Sequence, residues 1–355
     1  TIHIPGVYVD LTDHSTLINQ RKCDSFYRFR LLRPGTEYTI KTYKEDDPFN
    51  ALSTLDLILI TKCILGIESN FNKLQFYAAD VNNSSYVSPQ DIFDIRKLIL
   101  RTDDHFLNKP AWIGIPTQQD TSGMNQLKDQ VNLSVAFWKM YHHDFRLIKI
   151  GDVNDYTTSA NYSPLIQSND SLIIKYANKQ VKKNESLKLE FAIEDVLPIF
   201  GFQGTIKFDT SEIKFVKFET ANFSLSTDMF GIKYKENGFL TISWNDVFQI
   251  PTPLKNANFI LEFVVLKDGD LCDALSFTSD LTLAEAYTDS VLIKNIKLES
   301  CVVIIKNQET SLDNIKIYPN PAEDILYFNF PKDISFPLQL DFYSKDGREI
   351  RRITI

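Results

Sequence analysis

The sequence predicts a mainly β, multi-domain chain, with β-sandwich domains interrupted by one small pair of helices. Three observations carry this. Apolar and polar residues alternate with period two along much of the chain, as in strands with one buried face. Aromatic residues make up 12% of it, with 26 Phe and 15 Tyr, types that pleated sheets favour. Helical spacing of apolar residues is confined to two short stretches, 54–67 and 88–101. At 355 residues the chain has room for several domains of about 150 residues.

Composition narrows the class further. Hydrophobic residues at 43% and charged residues at 24% belong to a chain that folds. The 12 Gly and 14 Pro are too few for a collagen-like or low-complexity chain. Against 46 Asp and Glu stand 38 Lys and Arg, a net charge of −8. No basic field exists to neutralise phosphates, so no nucleic-acid partner is expected. No run of about 18 apolar residues exists, so no transmembrane helix is expected. The first residues, Thr1-Ile2-His3-Ile4-Pro5, are neither an initiator Met nor a signal peptide and read as a trimmed piece of something larger.

Taken in order, residues 1–44 read as a partial antiparallel β unit. Val7–Leu11 and Phe26–Leu31 alternate, and Arg33-Pro34-Gly35 turns the chain into Tyr38-Thr39-Ile40. Residues 45–106 hold the helices. Leu55, Ile58, Leu59, Cys63 and Leu65 give the first, ended by Gly66; Ile92, Ile95, Leu98 and Ile99 give the second, opened by Ser88-Pro89. Residues 107–170 read as an irregular extension ending in the strand 145–150. From 171 to 306, strands such as 186–191, 204–208, 240–244 and 260–264 alternate between turns, as in a β-sandwich. After a polar linker, 312–355 holds short strands at 315–318 and 326–330.

The chemistry concentrates before the two helices. Asp80, Asn82, Ser84, Ser88 and Asp91 occupy positions 1, 3, 5, 9 and 12 of a 12-residue loop, with the Tyr86 carbonyl at position 7. Hard cations such as Ca2+ take six to eight oxygens on this schedule. Ser85 replaces the usual turn glycine, and two carboxylates predict weaker binding than three or four. A looser copy precedes the first helix: Asp46, Asp47, Asn50, Ser53 and Asp56, with Phe49 where a ligand would stand. Leu52, Ser53 and Asp56 repeat Val87, Ser88 and Asp91 in register. The plainer alternative is that both loops are acidic helix N-termini that satisfy orphan amides. Asp152 and Asn154 repeat the Asp80-Val81-Asn82 pattern without a following helix; they offer extra ligands to a neighbouring ion or form an ordinary turn.

On these residues, 45–101 resembles the dockerin family, in which two EF-hand-like repeats bind calcium and pack together. The arrangement after a carboxypeptidase-regulatory-like β unit is similar to that of large secreted Bacteroidetes proteins. Residues 171–305 resemble a cohesin-like sandwich, on Gly201–Asp209, Ile213–Val216 and Ile242–Asp246. Cohesins bind dockerins, so the resemblance implies an association of the two modules, within one chain or between chains. Residues 312–355 resemble part of the type A C-terminal sorting domain of the type IX secretion system, on Tyr318-Pro319-Asn320-Pro321, Asp324-Ile325-Leu326 and Asp346-Gly347. That resemblance implies contact with the secretion machinery and a place outside the cell or on its surface. Asp170-Ser171-Leu172 and Asp289-Ser290-Val291 fit the O-glycosylation pattern of that phylum, at Ser171 and Ser290.

No nucleophile motif stands out, and no catalytic residue is expected. His142-His143 lies in an aromatic stretch and reads as packed or solvated. None of the four cysteines forms a CxxC pair; Cys272 and Cys301 are spaced to bridge strands in an exported protein, Cys63 reads as a buried thiol, and Cys23 is left over. The expected function is the non-enzymatic stalk or anchor of a secreted adhesin or fibre, braced by calcium. The rival expectations are the tail of a secreted hydrolase, or a glycan-binding module presenting Trp244.

Overall fold

In the computed structural model, the described residues are 5–23, 27–45, 48–67, 71–118, 127–136, 141–154, 167–177, 180–193, 198–220, 225–248, 252–253, 257–271, 274–288, 293–299, 316–318, 327–329, 339–343 and 349–354. The chain divides into two compact units, Thr1–Val303 and Ile304–Ile355. It is mainly β, with three α-helices among the described residues.

The first sheet contains β1 (Val7–Asp13), β2 (Thr16–Cys23), β3 (Glu37–Lys44), β4 (Trp112–Pro116), β5 (Gln130–Ser134) and β6 (Phe145–Lys149). Its order is β2-β1-β3-β4-β6, and β5 also pairs with β3. The partial β unit expected at 1–44 is therefore completed by strands from 107–170. His14 and Ser15, at φ 44° and 72°, close the β1–β2 hairpin. The strand expected at 26–31 does not form among the described residues 27–31. Instead Phe29 and Leu32 pack on Leu11, Tyr38 and Val135.

Three helices follow β3 in sequence: α1 (Thr54–Ile64), α2 (Lys73–Ala79) and α3 (Pro89–Ile99). Ser53 and Asp56 form a capping box at α1, Ser88 and Asp91 at α3, and Asn72 and Gln75 at α2. Gly66 stands at φ 69° just past α1, the left-handed position expected after a helix. The helix α2 was not among the sequence expectations. Leu57, Ile60, Ile95 and Leu98 share one core with Ile113 and Ile115 of β4 and with Ile148 of β6.

The second sheet runs through residues 167–299. Its strands are β7 (Gln167–Tyr176), β9 (Ser186–Ile193), β10 (Pro198–Phe208), β11 (Ile213–Thr220), β12 (Phe230–Gly231), β13 (Phe239–Asn245), β14 (Thr252–Pro253), β15 (Ala257–Val265), β17 (Leu275–Thr278), β18 (Glu285–Thr288) and β19 (Ile293–Glu299); β8 (Gln180–Val181) and β16 (Gly269–Asp270) pair with each other. The ladder order is β11-β15-β9-β7-β19-β18-β10-β13-β12, with β7 and β19 parallel. This ladder folds over on itself. Phe208 of β10 meets Phe263 of β15, and Phe218 of β11 stacks on Phe230 of β12, although neither pair is adjacent in the ladder. The result is the expected sandwich, filled by Phe191, Phe202, Trp244, Phe259 and their neighbours.

In the second unit, β20 (Lys316–Tyr318) pairs with β21 (Tyr327–Asn329), and β22 (Gln339–Tyr343) with β23 (Glu349–Thr354).

Candidate functional site

The loop before α3 turns its polar atoms toward one another. The Asp80 carboxylate accepts hydrogen bonds at one oxygen from Ser84 N (2.8 Å) and Ser84 Oγ (3.3 Å), and at the other from Ser85 N (3.0 Å). Asn82 Oδ1 accepts from Ser84 N at 2.9 Å, and Ser84 Oγ donates to the Tyr86 carbonyl at 3.0 Å. Asp91, fully buried, uses Oδ2 for the capping box with Ser88 and turns Oδ1 toward Asn82 N at 3.3 Å. Asn83 and Ser85 take φ of 61° and 72°, so the tight turn forms without glycine, at a conformational cost.

All five sequence-predicted ligands, Asp80, Asn82, Ser84, Tyr86 and Asp91, are thus gathered in one loop. The donor set is all oxygen and suits a hard cation such as Ca2+. Among the described residues no three His, Cys, Asp or Glu side chains cluster as a metal site, so any ion here depends on the neutral oxygens as well. Lys109 flanks the loop from behind, its buried ammonium 3.7 Å from Asp80 Oδ2.

The first loop is arranged differently. Asp46 and Asp47 lie outside the described residues, and Asn50 is exposed. Phe49 packs on the helical core and lies under the Arg101 guanidinium, 3.8 Å from the ring centroid. Asp56 is fully buried; Oδ2 accepts from Ser53 N at 2.9 Å, and Oδ1 accepts from Val153 N at 2.9 Å. The segment that meets Asp56 is therefore Asp152-Val153-Asn154, the one that repeats Asp80-Val81-Asn82. Val153 and Val81 are both buried in the same core. Burial, and then the charge of Asp152, push the Asp56 acid well above the usual carboxylate range.

A second feature was not assigned to any residues in advance. On β10 and β13 the side chains facing away from the sandwich core are polar: Gln203, Thr205, Thr241, Ser243 and Asn245. Each is no more than 2% exposed, because α1, α3 and the 281–282 turn cover them. Gln203 Oε1 accepts from Thr54 N, the first helical amide of α1, at 2.6 Å. Thr54 and Ser243 share a hydroxyl–hydroxyl bond of 2.7 Å. Thr241 donates to the Leu100 carbonyl at 2.6 Å, and Thr282 donates to the Ile99 carbonyl. Arg96 of α3 donates to Asn245 and bridges to Asp228 at 3.1 Å. Burial lowers the Arg96 pKa, and Asp228 offsets part of that shift. Beside these polar contacts, Leu55 and Ile58 of α1 pack on Phe200 and Tyr287. A Cβ at Gly201 would sit 2.6 Å from the Trp244 carbonyl and 2.9 Å from Thr54, so glycine permits this close approach. Next to the seam a cavity of about 380 Å3 is lined by Leu55, Leu98, Arg101, Asn154, Glu285 and Tyr287. Burial raises the Glu285 acid, which accepts from the Tyr287 hydroxyl at 2.7 Å.

The remaining expectations fall as follows. Trp244 is 2% exposed in the sandwich core, which removes it as a surface for sugars. His142 and His143 precede β6 in an irregular segment, not in a strand. Ser171 is half-buried in β7, opposite Asn295 of β19. Cys63 is a free thiol on α1, partly exposed rather than buried. Ser290, Cys272, Cys301, Pro319–Leu326 and 344–348 lie outside the described residues. No helix among the described residues is long and apolar enough to cross a membrane.

No protein-family profile matches the chain, and no curated relative matches it. Several solved structures are similar to part of it. A cohesin–dockerin complex from Clostridium thermocellum matches at 10% identity and TM-score 0.28, covering 37% of this chain and 99% of that one. The third cohesin of the scaffoldin ScaC with the ScaB dockerin from Acetivibrio cellulolyticus matches at 13% identity and TM-score 0.29, with 37% and 99% covered. The second type II cohesin module of the ScaA scaffoldin of the same organism matches at 14% identity and TM-score 0.29, with 38% and 96% covered.

Proposed function

We propose that residues 1–303 form a non-catalytic, calcium-braced structural arm of a secreted surface protein, in which a dockerin-like helical module is docked on the cohesin-like sandwich of its own chain. The observation that carries this reading is the burial of five polar side chains on the outer face of β10 and β13 beneath α1, α3 and the 281–282 turn. Alternating strands normally give such a face to water. Here Gln203, Thr241, Ser243 and Asn245 each bond a helix end or a helix side chain, and Thr205 holds the 281–282 turn that caps them.

Calcium would be held by Asp80, Asn82, Ser84, the Tyr86 carbonyl and Asp91. A second ion would sit where Asp56 meets Asp152 and Asn154, a loop split between two distant stretches of chain, with Asp46, Asp47 and Asn50 as the alternative source of oxygens. The bound ion supplies positive charge that offsets the clustered carboxylates. The residues themselves hold the start of α3 against the loop and so fix the helices that contact both sheets. Ser171 and Ser290 are proposed glycosylation sites, and Cys272 with Cys301 a proposed disulfide. The tail 312–355 is proposed to address the chain to the type IX secretion machinery of a Bacteroidetes cell and so to the surface, as stalk or anchor of an adhesin or fibre.

The test is thermal unfolding of the full chain in chelator and then in millimolar calcium, read with hydrogen exchange. Calcium should raise the melting temperature by several degrees, and Asp80→Ala with Asp91→Ala should remove the shift. Ser243→Arg should deprotect the N-terminus of α1 and strand β13 while β9 and β15 stay protected. No calcium shift, or unchanged protection in Ser243→Arg, would overturn the reading.

A further inference from the structure

Lys109 is a charged side chain that the fold buries beside the loop. Its side chain is 3% exposed, although it sits in an irregular stretch before β4 where water is close at hand. Three contacts account for its position. Its ammonium donates to the Tyr77 carbonyl at 3.0 Å, near the C-terminus of α2, where backbone carbonyls lack helical partners. It lies 4.1 Å from the centroid of the Tyr77 ring. It stands 3.7 Å from Asp80 Oδ2, the oxygen that also accepts from Ser85 N, while Oδ1 is bonded to Ser84 inside the loop. The neighbouring Asn108 side chain donates to the Asn82 carbonyl at 2.9 Å, so residues 108 and 109 together clamp the back of the loop.

Resting on the calcium reading above, we infer that Lys109 is a built-in monovalent counter-charge that sets how tightly loop 80–91 binds a divalent ion. The charge balance is simple. Asp80 and Asp91 bring two negative charges to the loop, Asp129 adds one outside it that also acts on the ammonium, and Lys109 returns one positive. Without calcium, the lysine offsets half of the loop's own carboxylate charge and lets the loop keep its folded shape. With calcium, the lysine repels the ion across Asp80. Both effects act in the same direction, toward weaker binding and a loop that stays folded when calcium is scarce. A purely mechanical lysine would behave otherwise: its loss would loosen the loop and weaken calcium binding.

Those opposite signs make the test. Calcium affinity of the full chain is measured by competition with a chromophoric chelator, and thermal stability is measured with and without the ion. Lys109→Met keeps the length and the apolar stem over Tyr77 but removes the charge. It should bind calcium at least about tenfold more tightly, and it should melt earlier than wild type in chelator but not in saturating calcium. Lys109→Arg keeps the charge and should bind as wild type does. Lys109→Gln keeps a donor for the Tyr77 carbonyl and loses the charge; it provides the same comparison if the Met variant does not fold. Unchanged or weaker binding in the charge-free variants would overturn the inference while leaving the calcium site intact. A wild-type chain that takes up no calcium would instead sink the reading on which the inference rests.

Discussion

Replacing Gln203 by Leu tests whether α1 is held to the sandwich by its first amide. Gln203 is 1% exposed and Thr54 is fully buried, and the 2.6 Å bond joins Gln203 Oε1 to Thr54 N. The first four amides of a helix have no partner inside it, so this acceptor comes from the sheet or from nowhere. Leucine has a similar volume and cannot accept. The amide is then left buried and unsatisfied, at a cost of about 1–3 kcal/mol. For a unit of this size that is roughly 2–6 °C in melting temperature. Thermal melts of the full chain measure the total, and amide exchange at the start of α1 localises it. Lys188→Leu is the control, because Lys188 lies on the outward face of β9, where its side chain is 54% exposed to water. The same change of polar to apolar should cost less than about 0.5 kcal/mol there. Equal losses in the two variants, or no loss in Gln203→Leu, would refute the argument that the β10–β13 face is a recognition surface.

Asn245→Leu should be more damaging than Gln203→Leu, since it removes the acceptor from a charged, buried Arg96; about 2–4 kcal/mol is expected, and chemical denaturation checks it. Ser85→Gly should stabilise the chain by about 1 kcal/mol, because Ser85 holds φ 72° where glycine pays no steric penalty; a lower melting temperature would contradict the strained turn. The Asp56–Asp152 pair predicts an unusual pH dependence. Because the folded-state pKa of Asp56 is raised, its contribution is fully present below the unfolded carboxylate value of about 4 and is lost as pH rises through the folded value. In chelator, wild type should therefore lose more stability between about pH 4 and pH 7 than Asp152→Asn does, and parallel profiles would rule the coupling out.

Much of the architecture was legible because it rests on local rules. The helices α1 and α3 carry Ser-x-x-Asp boxes and apolar residues at helical spacing, and both boxes form. The strands 186–191 and 260–264 alternate because each has one face in the core. Where both faces are buried, the alternation disappears. Trp112–Pro116 is buried at every position, so nothing in its pattern marked β4 as a strand. The helix α2 spans 7 residues, too short for a periodic signal. The five residues of loop 80–91 were readable because they fall at regular offsets within one twelve-residue stretch. The partner of Asp56 was not, since Val153 lies 97 residues away. The repeat of Asp-Val-Asn at 152 was visible, but only the fold says which helix it serves. The seam was hidden for a different reason. Polar side chains on the outer face of a strand look the same in sequence whether water or a helix covers them.

One sequence feature does bear on that seam. Helix α1 reads Thr-Leu-Asp-Leu-Ile-Leu-Ile-Thr-Lys-Cys-Ile, with apolar residues on almost every side, and a helix that is apolar all round belongs between two surfaces. Leu57 and Ile60 face the core shared with the first sheet, whereas Leu55 and Ile58 face Phe200 and Tyr287 of the sandwich. Undocking would expose the second pair together with the aromatic side chains they cover. It would also strand Arg96, which the sandwich supplies with an acceptor and a counter-charge. The polar contacts therefore set the position of the helix, and the apolar ones make leaving it costly. A module built to be handed to another chain would need a solvent-tolerant second face. The second face of α1 is greasy, and that favours a permanent brace within one chain over an exchangeable coupling between chains.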